Sequence, residues 1–311
     1  MSSVAFLGPP GTFTEEALLT QPDLADADLV PLRSIPDVLA AVHSRESDLG
    51  FVAIENSIEG TVNVSLDALV FDHDVLIQRE VVLGVRLNLL APAGTGLADV
   101  ERVVSFPHAT AQCRQWLART LPAAQIVASN STAEAAQEVG HTRGEGTGST
   151  AAVGTALAAK LYGLEVLAAD IEDHPDNATR FVLVAADGIP PPTGHDKTSI
   201  VCFQAADRPG SLHAILGQFT ARDINLTKLE SRPTKQALGD YCFIIDLDGH
   251  IADEAVADCL RDLHVSLPGL KFLGSYPAAG DHGPTIRRHA AEAWREADSW
   301  IASLRRKMDG R

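Results

Sequence analysis

Three consecutive prolines at positions 190–192 constrain the fold of this chain more than any other feature. Proline fixes its own φ and lacks a backbone N–H, so such a run lies neither inside a helix nor inside a central strand. The surrounding segment 187–196 also carries two glycines, and we predict that it links two domains. We therefore expect one domain over 1–186, a second over 197–276 and a C-terminal tail over 277–311, which suits a length of 311 residues.

Before the linker, short apolar runs alternate with segments of helical periodicity, which is typical of α/β proteins. Runs at 4–7 and 49–54 predict strands, and one helix is expected over 108–121. The segment 74–91 is apolar but broken by charged residues, which predicts two strands that cross between lobes. The first domain is therefore predicted to consist of two α/β lobes with a cleft between them.

After the linker, the order of elements changes. Apolar periodicity predicts strands over 198–204, 224–229, 241–247 and 270–275, and helices over 210–220 and 253–263. This βαββαβ order predicts a ferredoxin-like domain, in which the first and third strands are neighbours and Cys202 lies near Cys242.

In the tail, apolar residues recur at alternating intervals of four and three and predict an amphipathic helix. They are Ala290, Trp294, Ala297, Ile301, Leu304 and Met308. This helix either packs on its own chain or forms a subunit contact.

The charge balance argues against nucleic acids and anionic membranes as partners. The chain has 41 Asp and Glu against 25 Lys and Arg, a formal net charge of −16 at pH 7, and so repels phosphate backbones. The sequence shows neither a spanning apolar run nor the basic and apolar regions of a signal peptide, so we expect a cytoplasmic protein. The four cysteines have no CxxC spacing, which favours reduced, buried thiols over a zinc site or a disulfide framework.

The segment 8–15, with the sequence GPPGTFTE, follows a predicted strand and begins a predicted helix. It is not a Walker phosphate loop, because that motif needs Gly and Lys where this chain has Phe13 and Thr14. What remains is a helix N-terminus with a capping box from Thr12 to Glu15, whose free amides and Thr12 hydroxyl can hold a small carboxylate.

Two further groups of polar residues are candidates for a site in the cleft. One is a polar stretch that follows the strand ending at Ile54 and includes Glu55, Asn56, Ser57, Glu59 and Gly60. It is a predicted turn, and its residues are interpreted either as helix-capping residues or as site residues. His108 and Gln112 are one helical turn apart, so both can face the cleft.

A charged segment precedes the last strand of the first domain. Its polar residues are Glu172, Asp173, His174, Asp176 and Asn177. Such a cluster could hold a divalent cation, but solvated loops have the same composition, and we expect no metal. Arg180, just downstream, is the best anion clamp in the domain, because a planar guanidinium binds a carboxylate through two parallel hydrogen bonds.

Taken together, these segments resemble prephenate dehydratase followed by an ACT regulatory domain, over residues 4–276. The resemblance rests on six segments in this order and spacing, namely GPPGTFTEEA at 8–17, VAIENSIEGTVNVSLDAL at 52–69, AQC at 111–113, LYGLEVLAADIED at 161–173, NATRF at 177–181 and ESRP at 230–233. It implies a catalytic domain like the type II periplasmic binding proteins, with the active site between the lobes. It also implies conversion of prephenate to phenylpyruvate, with loss of water and CO₂ and without a cofactor, in phenylalanine biosynthesis.

The resemblance also implies roles for individual residues. Thr179 matches the essential hydroxyl of the family's Thr-Arg-Phe motif, and Glu55, Asn56 and Gln112 match its polar active-site set. We expect Arg180 to complete the catalytic group as the carboxylate anchor. The expected substrate-binding residues are Thr12, Ser57 and Phe181.

The ACT part resembles domains in which L-phenylalanine binds between paired subunits, so we expect feedback inhibition and a homodimer or homotetramer. The expected effector-binding residues are Gly210, Ser211, Leu212, His213, Asn225, Leu226, Glu230, Ser231, Arg232 and Pro233. The stretch 210–213 reads GSLH where the family has Gly-Ala-Leu-Val, which bears on the size and selectivity of the effector pocket. Likewise, 105–107 reads SFP where the family has Ser-His-Pro, so no catalytic role for a histidine carries over. Because the first predicted strand begins at Val4, we expect a monofunctional enzyme without an upstream chorismate mutase segment.

Two other functions remain open at this point. A non-catalytic amino-acid sensor is one, since both kinds of domain also bind small molecules without chemistry. The other is a dehydratase that acts on arogenate, the aminated relative of prephenate. The retention of Thr179 next to Arg180 favours an enzyme over a sensor.

Overall fold

The computed structural model describes six ranges of the chain: 2–24, 26–141, 149–204, 209–235, 240–280 and 299–307. The chain divides into two compact units, of which the first comprises Met1–Ala68 and Val81–Ala186 and the second comprises Leu69–Glu80 and Asp187–Arg311. One boundary therefore falls at the start of the proline-rich segment. The contiguous domain limits predicted from the sequence do not anticipate the transfer of Leu69–Glu80 to the second unit.

Contacts within the second unit explain why Leu69–Glu80 belongs to it. The Lys271 ammonium donates to the backbone carbonyls of Val70 and His73, at 3.2 and 3.0 Å. The Glu80 carboxylate, which is buried, accepts from Lys197 at 2.9 and 3.0 Å. These links join residues more than a hundred positions apart, so local sequence patterns do not reveal them.

The helices and strands of the first unit, with β5 beginning in the second, are β1 (Ser3–Leu7), α1 (Phe13–Leu19), β2 (Asp28–Leu32), α2 (Ile35–His43), β3 (Leu49–Asn56), β4 (Gly60–Thr61), α3 (Asn63–Asp67), β5 (Leu76–Gly84), β6 (Asn88–Ala91), β7 (Val100–Ser105), α4 (Pro107–Gln112), α5 (Arg114–Thr120), β8 (Gln125–Ala128), α6 (Thr132–His141), β9 (Ser149–Gly154), α7 (Ala156–Tyr162), β10 (Glu165–Ala168) and β11 (Ala178–Ala185). Two short 3₁₀ helices, Pro22–Leu24 and Leu97–Asp99, and a π-helical turn, Ala68–Asp72, connect some of them.

These strands form two sheets, which confirms the predicted two-lobed α/β fold. The first sheet has the order β2-β1-β3-β11-β5, with β4 paired to β3, and the second has the order β10-β6-β9-β7-β8. The chain crosses between the sheets from β5 to β6, as the segment 74–91 predicts, and returns from β10 to β11. Each lobe has its own apolar core, and Phe51 and Phe181 stack in the first at 5.3 Å between ring centroids.

The single helix predicted over 108–121 is instead two helices, α4 and α5, separated at Cys113. Cys113 has φ −111° and ψ 12°, outside helical geometry. The Asp173 carboxylate accepts the backbone N–H groups of Gln115 at 2.9 Å and Trp116 at 3.2 Å. A carboxylate from sixty residues away thus caps a second helix N-terminus, and that is why the prediction of one helix is wrong.

The second unit contains the predicted βαββαβ domain. Its elements are β12 (Asp196–Phe203), α8 (Ser211–Thr220), β13 (Leu226–Pro233), β14 (Tyr241–Asp248), α9 (Glu254–Ser266) and β15 (Gly269–Pro277), in the sheet order β13-β14-β12-β15. Strands β12 and β14 are neighbours, with Cys202 opposite Phe243 and Cys242 opposite Phe203. All four cysteines of the chain are buried thiols.

The tail is helical over 299–307. Ile301 and Leu304 of the predicted apolar stripe are exposed on this helix. The other members of the stripe, Ala290, Trp294, Ala297 and Met308, lie outside the described residues. In the parts of the chain that the structure describes, no helix combines the length and apolar character needed to cross a membrane.

Candidate functional site

The antiparallel pairing of β3 with β11 brings the two central sequence motifs together. Thr179 lies opposite Asn56, and Arg180 lies opposite Glu55. Glu55 and Asn56 are therefore part of β3 and not of the predicted turn, because pairing with β11 extends the strand by two residues. A bulge follows directly between Arg180 and Phe181, and such bulges redirect side chains beside functional sites.

Asn56 holds the Thr179 hydroxyl. Its amide Nδ2 donates to Thr179 Oγ1 at 2.9 Å and to Asn177 Oδ1 at 2.9 Å. Its Oδ1 accepts the backbone N–H groups of Ile58 and Glu59, both at 3.0 Å. Because backbone N–H groups only donate, the orientation of the Asn56 amide is fixed, and the Thr179 oxygen is held as an acceptor.

Asn177 is a buried connecting residue, which the sequence analysis places in the NATRF motif but not among the expected site residues. Its Oδ1 accepts from Asn56 and, at 3.2 Å, from the Ser57 hydroxyl, and its Nδ2 donates to Gln112 Oε1 at 2.9 Å. Ser57 Oγ also accepts the backbone N–H of Ala178 at 3.0 Å. Ser57 therefore braces the site from the first lobe, and its hydrogen bonds join the two motifs.

The second lobe contributes Gln112 and His108, both from α4. His108 Nδ1 lies 3.1 Å from Glu59 Oε2, and Gln112 Nε2 lies 3.5 Å from Glu59 Oε1. The two side chains thus face the first lobe together, as their spacing of one helical turn predicts. Glu59, in the turn between β3 and β4, belongs to the polar stretch singled out in the sequence, which did not assign it to the site.

Arg180 is an internal cation of the site. Its guanidinium Nη1 lies 3.5 Å from Glu55 Oε2, and its side chain is 12% exposed against 39% for Glu55. Because the long arginine side chain is ordered by this neighbour, little conformational entropy is lost when an anion binds to it.

The loop before α1 is predicted to bind a carboxylate of a ligand, but in the structure its donors are bound to groups of the chain itself. The Thr12 hydroxyl accepts the Glu15 N–H at 3.3 Å and donates to the Leu7 carbonyl at 3.2 Å, while the Glu15 carboxylate accepts the Gly11 N–H. Thr12 is buried, and the chain's own carboxylate occupies this helix terminus, so an external carboxylate would have to displace it. The predicted hydrogen bond from the Glu15 N–H to the Thr12 hydroxyl is therefore present. The Glu15 carboxylate, however, accepts the N–H of Gly11 and not that of Thr12, as a capping box would require.

The second lobe holds this loop in place. The Tyr162 hydroxyl donates to the Pro10 carbonyl at 2.6 Å, and the Thr155 hydroxyl donates to the Gly11 carbonyl at 2.9 Å. Burial raises the pKa of Tyr162, and the nearby Glu15 raises it further, so the phenol stays protonated and able to donate.

Phe181 does not line the site. Its ring is 1% exposed and stacks on Phe51 in the core of the first lobe. The prediction that Phe181 binds substrate is corrected to a packing role, in which the aromatic pair fixes the strand that carries Thr179.

Two acidic residues of the segment 172–177, Glu172 and Asp173, have hydrogen-bonding partners within the chain. Glu172 accepts from the Leu87 N–H at 2.9 Å and pairs with Arg86 at 2.8 Å. Asp173 caps α5, as described above, and burial raises the pKa of the adjacent Cys113 thiol above its usual range, with both carboxylates acting in the same direction. Among the described residues, no three His, Cys, Asp or Glu side chains are grouped to hold a metal ion.

The expected effector residues lie at two places in the second unit. Gly210 has φ +87° at the start of α8, which requires glycine or strain, and Ser211, Leu212 and His213 begin that helix. Asn225 precedes β13, and its Nδ2 donates to Asp248 at 2.9 Å. The remaining residues, Leu226, Glu230, Ser231, Arg232 and Pro233, lie on β13 itself, which is longer than the strand predicted over 224–229.

Lys228, Glu230 and Arg232 form a charged row on one face of β13. Glu230 lies 3.5 Å from Lys228 and 3.8 Å from Arg232. Such a row offers both a carboxylate and a guanidinium, the two groups that complement the ends of a free amino acid.

Comparison with known proteins follows the same division of the chain. The sequence model of the family described as Prephenate dehydratase matches residues 4–188, and that of the ACT domain matches residues 198–265. Prephenate dehydratase of Mycolicibacterium vanbaalenii is 44% identical over an alignment of 319 positions, which covers 98% of this chain and 99% of that protein. Prephenate dehydratase of Mycolicibacterium smegmatis is 40% identical over an alignment of 324 positions, which covers 100% of each chain.

A solved structure shows the same fold. Prephenate dehydratase of Arthrobacter aurescens, in complex with L-Phe, superposes with a TM-score of 0.89 at 41% sequence identity, covering 98% of this chain and 99% of that one.

Proposed function

Because this chain belongs to the prephenate dehydratase family and is an enzyme of the hydro-lyase class, we propose that it converts prephenate to phenylpyruvate in phenylalanine biosynthesis. The ring carboxylate leaves as CO₂, and the ring hydroxyl takes up one proton and leaves as water. The electron pair of the broken C–C bond enters the ring as the C–O bond breaks, so the ring becomes aromatic without a redox step. The site must therefore supply a hydrogen-bond donor at the hydroxyl and leave the ring carboxylate free to depart.

The pairing of β3 with β11 carries this proposal, because it sets a hydroxyl, a guanidinium, a carboxylate and an amide side by side. Thr179 is the donor to the leaving hydroxyl. Since its Oγ1 accepts from the Asn56 amide, its hydrogen is directed away from Asn56 and toward a ligand.

A threonine hydroxyl is itself a weak acid, so the proton needs a further source or strong preorganisation. Glu55, opposite Arg180 in the strand pair, is the candidate ultimate donor. A positioned donor of this kind contributes about 10²- to 10⁴-fold to the rate.

Arg180 anchors the substrate through the pyruvyl carboxylate. A guanidinium binds a carboxylate at two points, and an equally firm hold on the ring carboxylate would oppose its loss as CO₂. Asn56 and Gln112 hold the polar network on which the ring oxygen is oriented.

The assay that tests the proposal incubates the purified full-length protein with prephenate and, separately, with arogenate. Phenylpyruvate and phenylalanine are the products followed. We expect phenylpyruvate from prephenate. Phenylalanine formed from arogenate alone would reassign the substrate, and the absence of product from both would favour the amino-acid sensor.

The second unit is the regulatory part of this proposal, and L-phenylalanine is its effector. The charged row on β13 suits an amino acid, and the relative from Arthrobacter aurescens was solved in complex with L-Phe. Strand β13 is at the end of its sheet, where a second copy of the domain can pair with it. The proposed assembly is a homodimer or homotetramer in the cytoplasm.

L-Phenylalanine added to the same assay is expected to slow turnover, with an allosteric coupling of about 1 to 3 kcal/mol. Light scattering with and without L-phenylalanine measures the molar mass and hence the number of subunits in the assembly. If L-phenylalanine neither changes the rate nor binds in a titration, the differences from the family at Ser211 and His213 have abolished effector binding.

A further inference from the structure

Asn56, Glu59, Gln112 and Asn177 form a closed ring of hydrogen bonds that spans the two lobes. Asn56 Oδ1 accepts the Glu59 N–H at 3.0 Å, and Asn56 Nδ2 donates to Asn177 Oδ1 at 2.9 Å. Asn177 Nδ2 donates to Gln112 Oε1 at 2.9 Å, and Gln112 Nε2 donates to Glu59 Oε1 at 3.5 Å. Glu59 thus enters the ring twice, through its backbone and through its carboxylate.

The ring has only one self-consistent direction. Two backbone N–H groups face Asn56 Oδ1, so the Asn56 amide must present its NH₂ group to Asn177 and Thr179. Asn177 must then present its own NH₂ group to Gln112, and Gln112 reaches Glu59 with an NH₂ group. The last member of the ring must therefore be an acceptor, and a carboxylate is an acceptor only.

We propose that Glu59 is a positioning residue of the dehydratase reaction, whose carboxylate closes this ring and holds Gln112 of the second lobe against Asn177 of the first. This inference rests on the proposed function, because it concerns the orientation of the hydrogen-bond network behind Thr179. It assigns Glu59 no contact with the substrate.

The role of Glu59 goes beyond its surface contact with His108. Exposed pairs contribute little on their own, but here the two carboxylate oxygens have separate partners, His108 on Oε2 and Gln112 on Oε1. The His108 contact fixes the carboxylate so that Oε1 faces Gln112. The 3.5 Å link is the longest of the ring, and hydrogen bonds of this kind tighten when substrate binds.

The test compares two neutral substitutions of similar size, Glu59→Gln and Glu59→Leu. Both remove the Glu59 charge and its contact with His108 Nδ1, but only glutamine retains an oxygen that can accept from Gln112. We expect kcat to fall about tenfold further in Glu59→Leu than in Glu59→Gln, because leucine offers no acceptor to Gln112 Nε2 and leaves the ring of hydrogen bonds open. KM for prephenate should differ little between the two, since neither removes a substrate contact.

The Glu59 side chain is 42% exposed, so we expect both variants to have the melting temperature of the wild type. Thermal unfolding of all three proteins checks this. Equal kcat values for the two variants, or a difference confined to KM, would overturn the inference. In that case the proposed function still stands, provided that the wild type turns over prephenate. A wild type without dehydratase activity would remove the proposed function and the role of Glu59 with it.

Discussion

At the scale of single residues, the proposed substrate binding depends on the two-point hydrogen bonding of the Arg180 guanidinium. The Arg180 guanidinium can grip a carboxylate at two points while it faces Glu55, whereas an ammonium acts as a single point charge. We predict that Arg180→Lys raises KM for prephenate about tenfold, the loss of one charge-assisted hydrogen bond, with a smaller effect on kcat.

Steady-state kinetics measure this, and Arg119→Lys on the exposed side of α5 is the matched control that should leave KM unchanged. An Arg180→Lys variant with wild-type KM would reassign Arg180 to a structural role.

Residue types and the motifs of the resemblance selected Thr179, Arg180, Glu55, Asn56 and Gln112. The structure pairs Thr179 with Asn56 and Arg180 with Glu55 at adjacent positions of two strands, and it links Gln112 to Asn56 through Asn177. Residue types and motifs did not assign Asn177 and Glu59 to the site, because the roles of these two residues depend on their partners. Asn177 meets Gln112 across 65 positions of sequence, a contact that no local pattern announces. Phe181 was assigned to the substrate because it belongs to the same motif, but the bulge between Arg180 and Phe181 interrupts the alternation of side chains along β11, and the Phe181 ring packs in the core.

At the scale of elements, the same limit appears at the ends of strands and helices. Glu55 and Asn56 look like turn residues, because polar side chains at the end of an apolar run are typical of turns. They belong to β3 because β11 pairs with them. Helices α4 and α5 are separate because Asp173, far away in sequence, caps the second one. Existence and order of elements were predictable, whereas ends set by distant partners were not.

Buried thiols between β12 and α9 give the second unit a predictable response to alkaline pH. Burial raises the pKa of Cys202 to about 12 and that of Cys259 to about 12 from an ordinary value of 9.0. In the unfolded chain both thiols ionise at lower pH, so the folded state retains protons that the unfolded state has lost. Their contribution to stability is therefore complete below pH 9 and is lost as pH rises from about 9 to about 12.

We predict that each of these thiols lowers the free energy of unfolding by about 1 kcal/mol at pH 10 relative to pH 8. Urea unfolding at both pH values, for the wild type and for Cys202→Ala, measures the effect. The variant is less stable at pH 8 because of its cavity, but its loss between pH 8 and pH 10 should be smaller than that of the wild type. An identical loss in both proteins would contradict the prediction.

At the scale of the whole molecule, the proline-rich segment and the change in element order were sufficient to predict two kinds of domain. The transfer of Leu69–Glu80 to the second unit was not predictable, because it depends on Lys271 and Lys197 from the far end of the chain. The consequence is that strand β5 begins in one unit and ends in the other. The chain therefore passes between the catalytic and regulatory parts more often than a single linker would allow.

The most direct test of the account is the turnover of Thr179→Ala beside that of Thr179→Ser. Serine retains a hydroxyl that Asn56 can hold, and alanine has none. The account predicts that alanine lowers kcat for prephenate at least about 100-fold with little change in KM, and that serine retains most of the activity. A folded Thr179→Ala protein with near-normal kcat would contradict it.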